Sequence, residues 1–374
     1  HREYFRRKII AHARCGNTAL IRLRYSTNTA TMKVLFVFCL FSAQFVTGQQ
    51  QRPLPVIDMH LHALGAHDQG PAPSYIGVPF RDLGLHDPKN DYRKTFTNAL
   101  LTKAWADTSV ASPTTDDSMK YLTLKSLRDN NVYAVTSGDL NRVRDWKRAE
   151  PNRIINSVEW DFGLARSQGL TPDSLEKLFG SGEFKVFGEI SIQYEGFTDS
   201  DSAFEPYLAL AERLDIPVGI HVGNGPPGAP YFSSVNYRAR LHSALTLEEA
   251  LIRHPKLRVY AMHAGWPMLD DMLATLYTHP QLYVDVAAIC YFVPTKEFYY
   301  YLERMVNAGF GKRIMFGSDN MVWPGVIKVG IDRINNAPFL SDAQKRDILF
   351  NNAARFLRLT NGEIERMMNA NKER

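Results

Sequence analysis

The sequence predicts an α/β chain closed into a (β/α)8 barrel, and three observations carry that expectation. Eight short β-branched or aromatic runs recur from Pro55 onward, helical stretches separate most of them, and no Gly-rich nucleotide fingerprint follows the first run. Strands alternating with helices imply right-handed βαβ units in a parallel sheet. Eight such units in 374 residues favour a closed barrel over a doubly wound sheet.

The runs read as strands are Val56–Met59, Val132–Thr136, Ile154–Val158, Phe184–Ile190, Ile216–Val222, Leu257–His263, Leu282–Val286 and Arg313–Ser318. Helical patterns cover Ser118–Asp129, Pro172–Phe179, Ala203–Leu214, Thr246–His254, Pro267–His279 and Thr295–Ala308, and Asp342–Leu359 reads as a closing helical end. The polar stretch Asn361–Arg374 is expected to fray. One segment, Ala63–Asp117, breaks the rhythm as a long Pro- and Gly-punctuated insertion after the first strand. Loops of that length are either functional or disordered. The aromatics Tyr75, Phe80, Tyr92, Phe96 and Trp105 favour an ordered lid over residues 63–117.

The first 48 residues stand apart. Met32-Lys33, the apolar run Val34–Phe41 and the small-residue exit Ser42–Gly48 have the layout of a secretory signal peptide over residues 32–48. Its apolar core is too short to anchor stably in a membrane. Cleavage near Gly48-Gln49 would leave residues 49–374 as one catalytic domain, secreted or periplasmic. Residues 1–31 precede Met32 and read as a non-native upstream extension; the rival reading is an Arg-rich organelle transit segment, with Glu3 its one acidic residue.

Overall composition, 45% hydrophobic and 22% charged, is that of a soluble globular protein. Residues 1–48 hold eight Lys or Arg against one Glu, +7 within a chain total of +5, so the remainder carries −2. The basic balance therefore gives no argument for nucleic acid as a partner. Cys15 and Cys39 fall in the leader, so Cys290 alone follows it and no internal disulfide can form there.

Polar residues recur where the strands end. His60 and His62 are two apart on the first strand, a spacing that projects both side chains to one face. Glu189 lies on the fourth strand, His221 and His263 close the fifth and sixth, and Asp319 follows the eighth. In a parallel barrel all strand C-termini open on one face, so these groups converge. Three or four nitrogen and oxygen ligands with an open position suit a hydrolytic zinc-type site. Singly, each has a blander reading: a satisfied core histidine for His221, a helix N-cap for Asp319, a buried partner of Lys185 or an arginine for Glu189. His67, His86, His242, His254 and His279 lack the strand-end placement and read as loop, surface or helix-end residues.

Taken together, His60-Leu-His62, Gly219-Ile-His221, Met262-His-Ala-Gly265 and Phe316-Gly-Ser-Asp319 resemble the amidohydrolase superfamily, and within it the amidohydrolase-related branch, amidohydrolase family 2. The resemblance runs from about Val56 to Leu359 and includes the closing Asn352-Ala-Ala-Arg-Phe-Leu357. It implies a distorted TIM barrel with a divalent metal at its C-terminal mouth. In that pattern His60 and His62 match the first-strand ligands, His221 the fifth-strand ligand and Asp319 the eighth-strand carboxylate. His263 matches a sixth-strand histidine that is either a second-metal ligand or a catalytic group. Gly188-Glu189-Ile190 is similar both to the glutamate-bridged two-metal branch and to single-metal relatives; one Zn2+ is the expectation, with two as the alternative.

The expected function is a metal-dependent hydrolase that uses a metal-activated water to cleave an amide, ester or lactone bond of a small molecule. Asp319 would accept the water's proton and His263 would hold the substrate oxygen. Trp266, Tyr194, Trp160 and Trp323 follow strand ends and form either an aromatic wall or packing under the loops. Arg238 and Arg240 are either a substrate carboxylate clamp or solvated loop charges. Two alternatives stand beside the hydrolase: a metal-dependent non-oxidative decarboxylase of an aromatic or conjugated carboxylic acid, and a non-catalytic secreted binding protein on the same barrel. The signal peptide and the polar loop Gly223–Gly228 favour hydrolysis. A homodimer is compatible with all three.

Overall fold

The structure, a computed structural model, describes residues 53–370. The expected upstream extension 1–31, signal peptide 32–48 and cleavage point at Gly48-Gln49 lie outside those residues, as do the last four of the polar tail. Ten strands occur among the described residues: β1 (Val56–Ala63), β2 (Tyr75–Gly77), β3 (Ser109–Ala111), β4 (Val132–Gly138), β5 (Ile154–Trp160), β6 (Val186–Ile190), β7 (Val218–His221), β8 (Val259–Met262), β9 (Leu282–Asp285) and β10 (Ile314–Met315).

Eight of them, all but β2 and β3, pair in parallel in strict chain order. The ring closes through backbone bonds between the first strand and the segment after the last: Met59 donates to Phe316, Asp319 to His60 and His62 to Asn320, at 2.9, 2.7 and 3.2 Å. The architecture is thus the expected (β/α)8 barrel. Its strands are apolar on both faces because one face meets the helices and the other fills the barrel. Val56, Leu61, Val132, Ile154, Val158, Phe187 and Val218 join the larger core with the helices. Ile57, Met59, Tyr133, Val135, Val186, Tyr260, Met262 and Met315 form a second cluster, joined by Phe350, Ala353 and Phe356 of the C-terminal helical end.

Helices fill most gaps where the 3.6-residue pattern places them, as in Asp116–Asp129, Glu205–Arg213, Leu269–Thr278 and Thr295–Met305. Several helices were not anticipated, among them Leu140–Ala149, Phe162–Gln168 and Val326–Asn335. The first buries only Val143 and Trp146, too few apolar positions to show a period, and forms because Asp139 accepts from the backbone N–H groups of Asn141 and Arg142. The tail departs from the expectation of fraying. Asn361–Asn369 is helical, with Thr360 and Glu363 in a reciprocal capping box and Met367 buried in the second cluster. No helix among the described residues is long and apolar enough to cross a membrane.

The insertion after β1 is ordered. Strands β2 and β3 pair antiparallel, and a helix, Tyr92–Thr102, lies between them with Asp91 as its N-cap. Its aromatics dock on neighbouring loops: Phe80 against Phe292 at 4.9 Å, Phe96 stacked on Phe232 at 4.6 Å, and Tyr92 on Phe232 at 6.2 Å between ring centres. Trp323, after β10, donates its indole N–H to the Ser74 carbonyl at 3.2 Å and so ties the insertion to the barrel mouth.

Candidate metal centre

The strand ends bring eight acidic and imidazole groups into one buried cluster. His60 and His62 come from β1, Glu159 from β5, Glu189 from β6, His221 from β7 and Asp285 from β9; His263 directly follows β8 and Asp319 follows β10. Both β1 imidazoles face the cluster, with their Nε2 atoms 3.1 Å apart. Asp319 Oδ1 stands 3.2 Å from His62 Nε2 and 3.7 Å from His60 Nε2. Glu189 spans two donor sets. Its Oε2 lies 3.3 and 3.5 Å from His62 and His60, while its Oε1 contacts His221 Nδ1 and lies 3.6 Å from His263 Nε2. The structure thus groups His221 with His263 and Glu189, and His60 and His62 with Asp319.

Hydrogen bonds behind the cluster decide which ring atoms point inward. Glu159 lies 3.1 Å from His62 Nδ1, so that nitrogen carries the proton and Nε2 presents its lone pair to the site. Asp285 Oδ2 lies 3.4 Å from His60 Nδ1, a charge contact without hydrogen-bond geometry. His263 Nδ1 meets the Ala287 carbonyl at 3.1 Å; a carbonyl only accepts, so Nδ1 donates and Nε2 turns inward. Asp58 Oδ1 accepts from the backbone N–H groups of His60 and Ser318, at 3.0 and 2.8 Å, and fixes β1 against the segment that carries Asp319.

This donor set fits a divalent cation. Two imidazole lone pairs face each other between two carboxylates, at separations of about the 3.3–3.5 Å expected between ligands of a tetrahedral zinc. The electrostatics agree. Burial alone would push the His60 imidazole down, yet Asp319, Asp285 and Glu189 drive it up to about 10, so the carboxylates demand positive charge at this point. Burial would likewise raise Asp319 and Glu189, but the surrounding imidazoles outweigh it and hold both below their ordinary range. His221 Nε2 is buried without a hydrogen-bond partner among the described residues, a further unused donor atom.

The other sequence candidates take varied places. Tyr194 is half-buried and edge-on to His221, 5.1 Å between ring centres. Trp266 is partly exposed and donates to Glu297. The Arg238 guanidinium donates to the carbonyls of Val235 and Tyr237 in its own loop, at 2.9 and 2.7 Å. Trp160 packs against Phe162, Phe204 and Tyr207, which makes it a packing residue. Glu159 and Asp285 were not singled out from sequence, although each closes an apolar run as Glu189 does. Nor was His242, expected on a surface or loop. It sits in a 3-10 turn, fully buried, 5.4 Å from His221 between ring centres, and no spacing in the sequence marks it. His254 and His279 do end helices as expected, but both are buried and paired with glutamates.

A family model described as amidohydrolase matches residues 57–359. Among solved structures, the fold is similar to an uncharacterised TIM-barrel protein from Bordetella bronchiseptica, at 18% identity over 84% of this chain and 100% of that one, with a TM-score of 0.53. It is also similar to a probable 2-pyrone-4,6-dicarboxylic acid hydrolase from Acinetobacter baumannii with citric acid bound (13% identity, 82% and 100% covered, TM-score 0.50). A third is 2,6-dihydroxybenzoate decarboxylase from Rhizobium (14% identity, 82% and 99% covered, TM-score 0.49). At these identities the likeness is one of fold. No curated protein sequence matches the chain. The family match spans the barrel from β1 through the helical end after β10 and takes in every residue of the cluster: the chain belongs to the amidohydrolase family.

Proposed function

We propose that this chain is a metal-dependent hydrolase cleaving an amide, ester or lactone bond of a small molecule. The observation that carries the reading is Asp319: a buried carboxylate, kept ionised by its imidazole neighbours, at the point where His60 and His62 turn their Nε2 atoms inward. His60, His62, Asp319 and Glu189 Oε2 would hold the cation, and the mixed nitrogen and oxygen set suits Zn2+. A divalent ion bound there supplies Lewis acidity, polarising a substrate carbonyl and bringing the pKa of a water toward neutrality.

The protein's own groups do the rest. Asp319 accepts a proton from the attacking water and returns it to the leaving group. His263 turns Nε2 into the site, and its imidazole is raised: burial lowers it, but the Glu189 hydrogen bond and the Asp319 charge outweigh that. In protonated form it donates to the oxygen that gathers charge. Glu159 keeps the His62 imidazole in the tautomer that faces the site, and the Asp285 carboxylate sets a negative charge beside His60. The half-buried ring of Tyr194 packs edge-on to His221 and walls that side of the site.

The test is an assay panel with Asp319→Asn alongside the wild type. Hydrolysis of at least one amide, ester or lactone is expected, with turnover falling about 10²–10⁴-fold in the variant. Carbon dioxide release from a carboxylic acid without hydrolysis would replace this reading with the decarboxylase. Turnover of nothing, with tight retention of a small molecule, would replace it with the binding protein. Secretion through residues 32–48 belongs to the same proposal, and a mature N-terminus near Gln49 on sequencing the exported protein would support it.

A further inference from the structure

On the rim opposite the metal centre, where the strands begin, a cavity of about 320 Å3 opens between the Leu140–Ala149 helix, the start of β5 and the turn before β6. Its volume is at the lower end of small-ligand pockets, roughly 300–1,000 Å3. Arg144, Lys147, Arg148 and Lys185 line it against one carboxylate, Glu183.

That carboxylate is already taken. Glu183 accepts both Arg144 Nε and Nη2, at 2.8 and 3.0 Å, in a bidentate fork. Lys147 has no acidic partner among the described residues; the carbonyls of Pro151 and Ile154 hold its ammonium at 2.6 Å each, so it is fixed in place with no carboxylate against its charge. Burial first, and the nearby Lys185 ammonium second, lower the Lys147 pKa, which means the two cations feel each other across the cavity. Arg148 reaches Asp145 at 3.3 Å, but Asp145 is shared with Lys120 at 2.5 Å. Glu363, whose pKa Lys185 helps to lower, already accepts from the Thr360 backbone and hydroxyl at 2.8 Å each.

Asn156 adds an independent observation. It lines the same cavity, is 3% exposed, and its Oδ1 has no hydrogen-bond partner among the described residues. Turning the amide over places an N–H donor at that buried position. Surplus positive charge around a concavity with a fixed lysine and an idle buried amide is the pattern of a receptor for negative charge.

We propose that this cavity binds a multivalent oxyanion, a phosphoryl or polycarboxylate group of a small molecule, held by Lys147, Lys185 and Arg148 with Asn156 beneath. The site lies at the strand N-termini, where TIM barrels build stability rather than chemistry, so its ligand acts as a stabilising effector. A ligand that binds only the folded state raises the unfolding midpoint as its concentration rises.

The experiment is thermal unfolding of the full chain titrated with inorganic phosphate or citrate, ionic strength being held constant with chloride. The midpoint should climb with at least one anion and not with chloride, and the responding anion separates the phosphoryl from the polycarboxylate form. In Lys185→Ala the apparent affinity should fall about tenfold, the loss of one charge-assisted contact, and Lys185→Arg should restore most of it. His60→Ala, altered only at the metal centre, should keep the response. No anion-specific climb in the wild type, an unchanged climb in Lys185→Ala, or loss of the climb in His60→Ala would each overturn the proposal.

Discussion

The Glu159 carboxylate, one residue before the end of β5, stands 3.1 Å from Nδ1 of His62 on β1, across 97 residues of chain. Ser137 on β4 bonds the same carboxylate oxygen at 3.3 Å and holds it there. A ring nitrogen that must donate to a carboxylate leaves the other free as a lone-pair donor, so Glu159 sets the chemistry of His62 without entering the cluster of inward-facing atoms.

Glu159→Ala should therefore weaken metal binding about 10–100-fold while leaving the barrel folded. Glu159→Gln, whose amide oxygen still accepts the Nδ1 proton, should recover part of that loss. Metal titration against a competing chelator, with circular dichroism as the folding control, measures both.

Docking of the insertion depends on one glycine. A Cβ on Gly228 would lie 1.9 Å from the Tyr92 ring, and its φ of +75° is one that other residues adopt at a cost of about 1–2 kcal/mol. Gly228→Ala should displace Tyr92 and its helix from Phe232 while the distant barrel core stays intact. Limited proteolysis should then cut within residues 63–117 much faster than in the wild type, with little change in the thermal midpoint of the barrel.

Stability should fall as pH rises from about 4 to 8, partly because of Asp199. This side chain is fully buried beside Gln193, and burial pushes its carboxyl up to about 8 from an ordinary 3.8. Across that window the folded protein keeps a proton that the unfolded chain releases, so each increase in pH favours unfolding. Asp199→Asn removes the titration. The drop in urea midpoint between about pH 5 and pH 8 should shrink in the variant, and an equal drop in both proteins would refute the assignment.

Much of the barrel was legible because its strands are apolar on both faces and stand out as runs such as Val132–Thr136 and Leu282–Val286. The inward groups His60, His62, Glu189, His221, His263 and Asp319 were legible for a related reason: each interrupts or ends such a run, and the topology carries all of them to one rim. Glu159 and Asp285 carried the same signal, a carboxylate beside β-branched residues, but their importance lies in a contact with a histidine on another strand that one-dimensional spacing does not encode. His242 was illegible altogether, because a 3-10 turn in a long loop buries it. The helices at Leu140–Ala149 and Asn361–Asn369 escaped notice because caps, not a broad apolar face, define them.

Whether the strand-end cluster holds a catalytic cation is read from the metal content of the purified protein. Elemental analysis should find about one equivalent of a divalent metal, zinc foremost, in the wild type and in Asp199→Asn. Glu189→Ala at the same stoichiometry would show that Glu189 does not bridge a pair. His60→Ala should fall to background. Equal metal content in His60→Ala and the wild type, or none in the wild type after zinc supplementation, would rule out a cation held by this cluster.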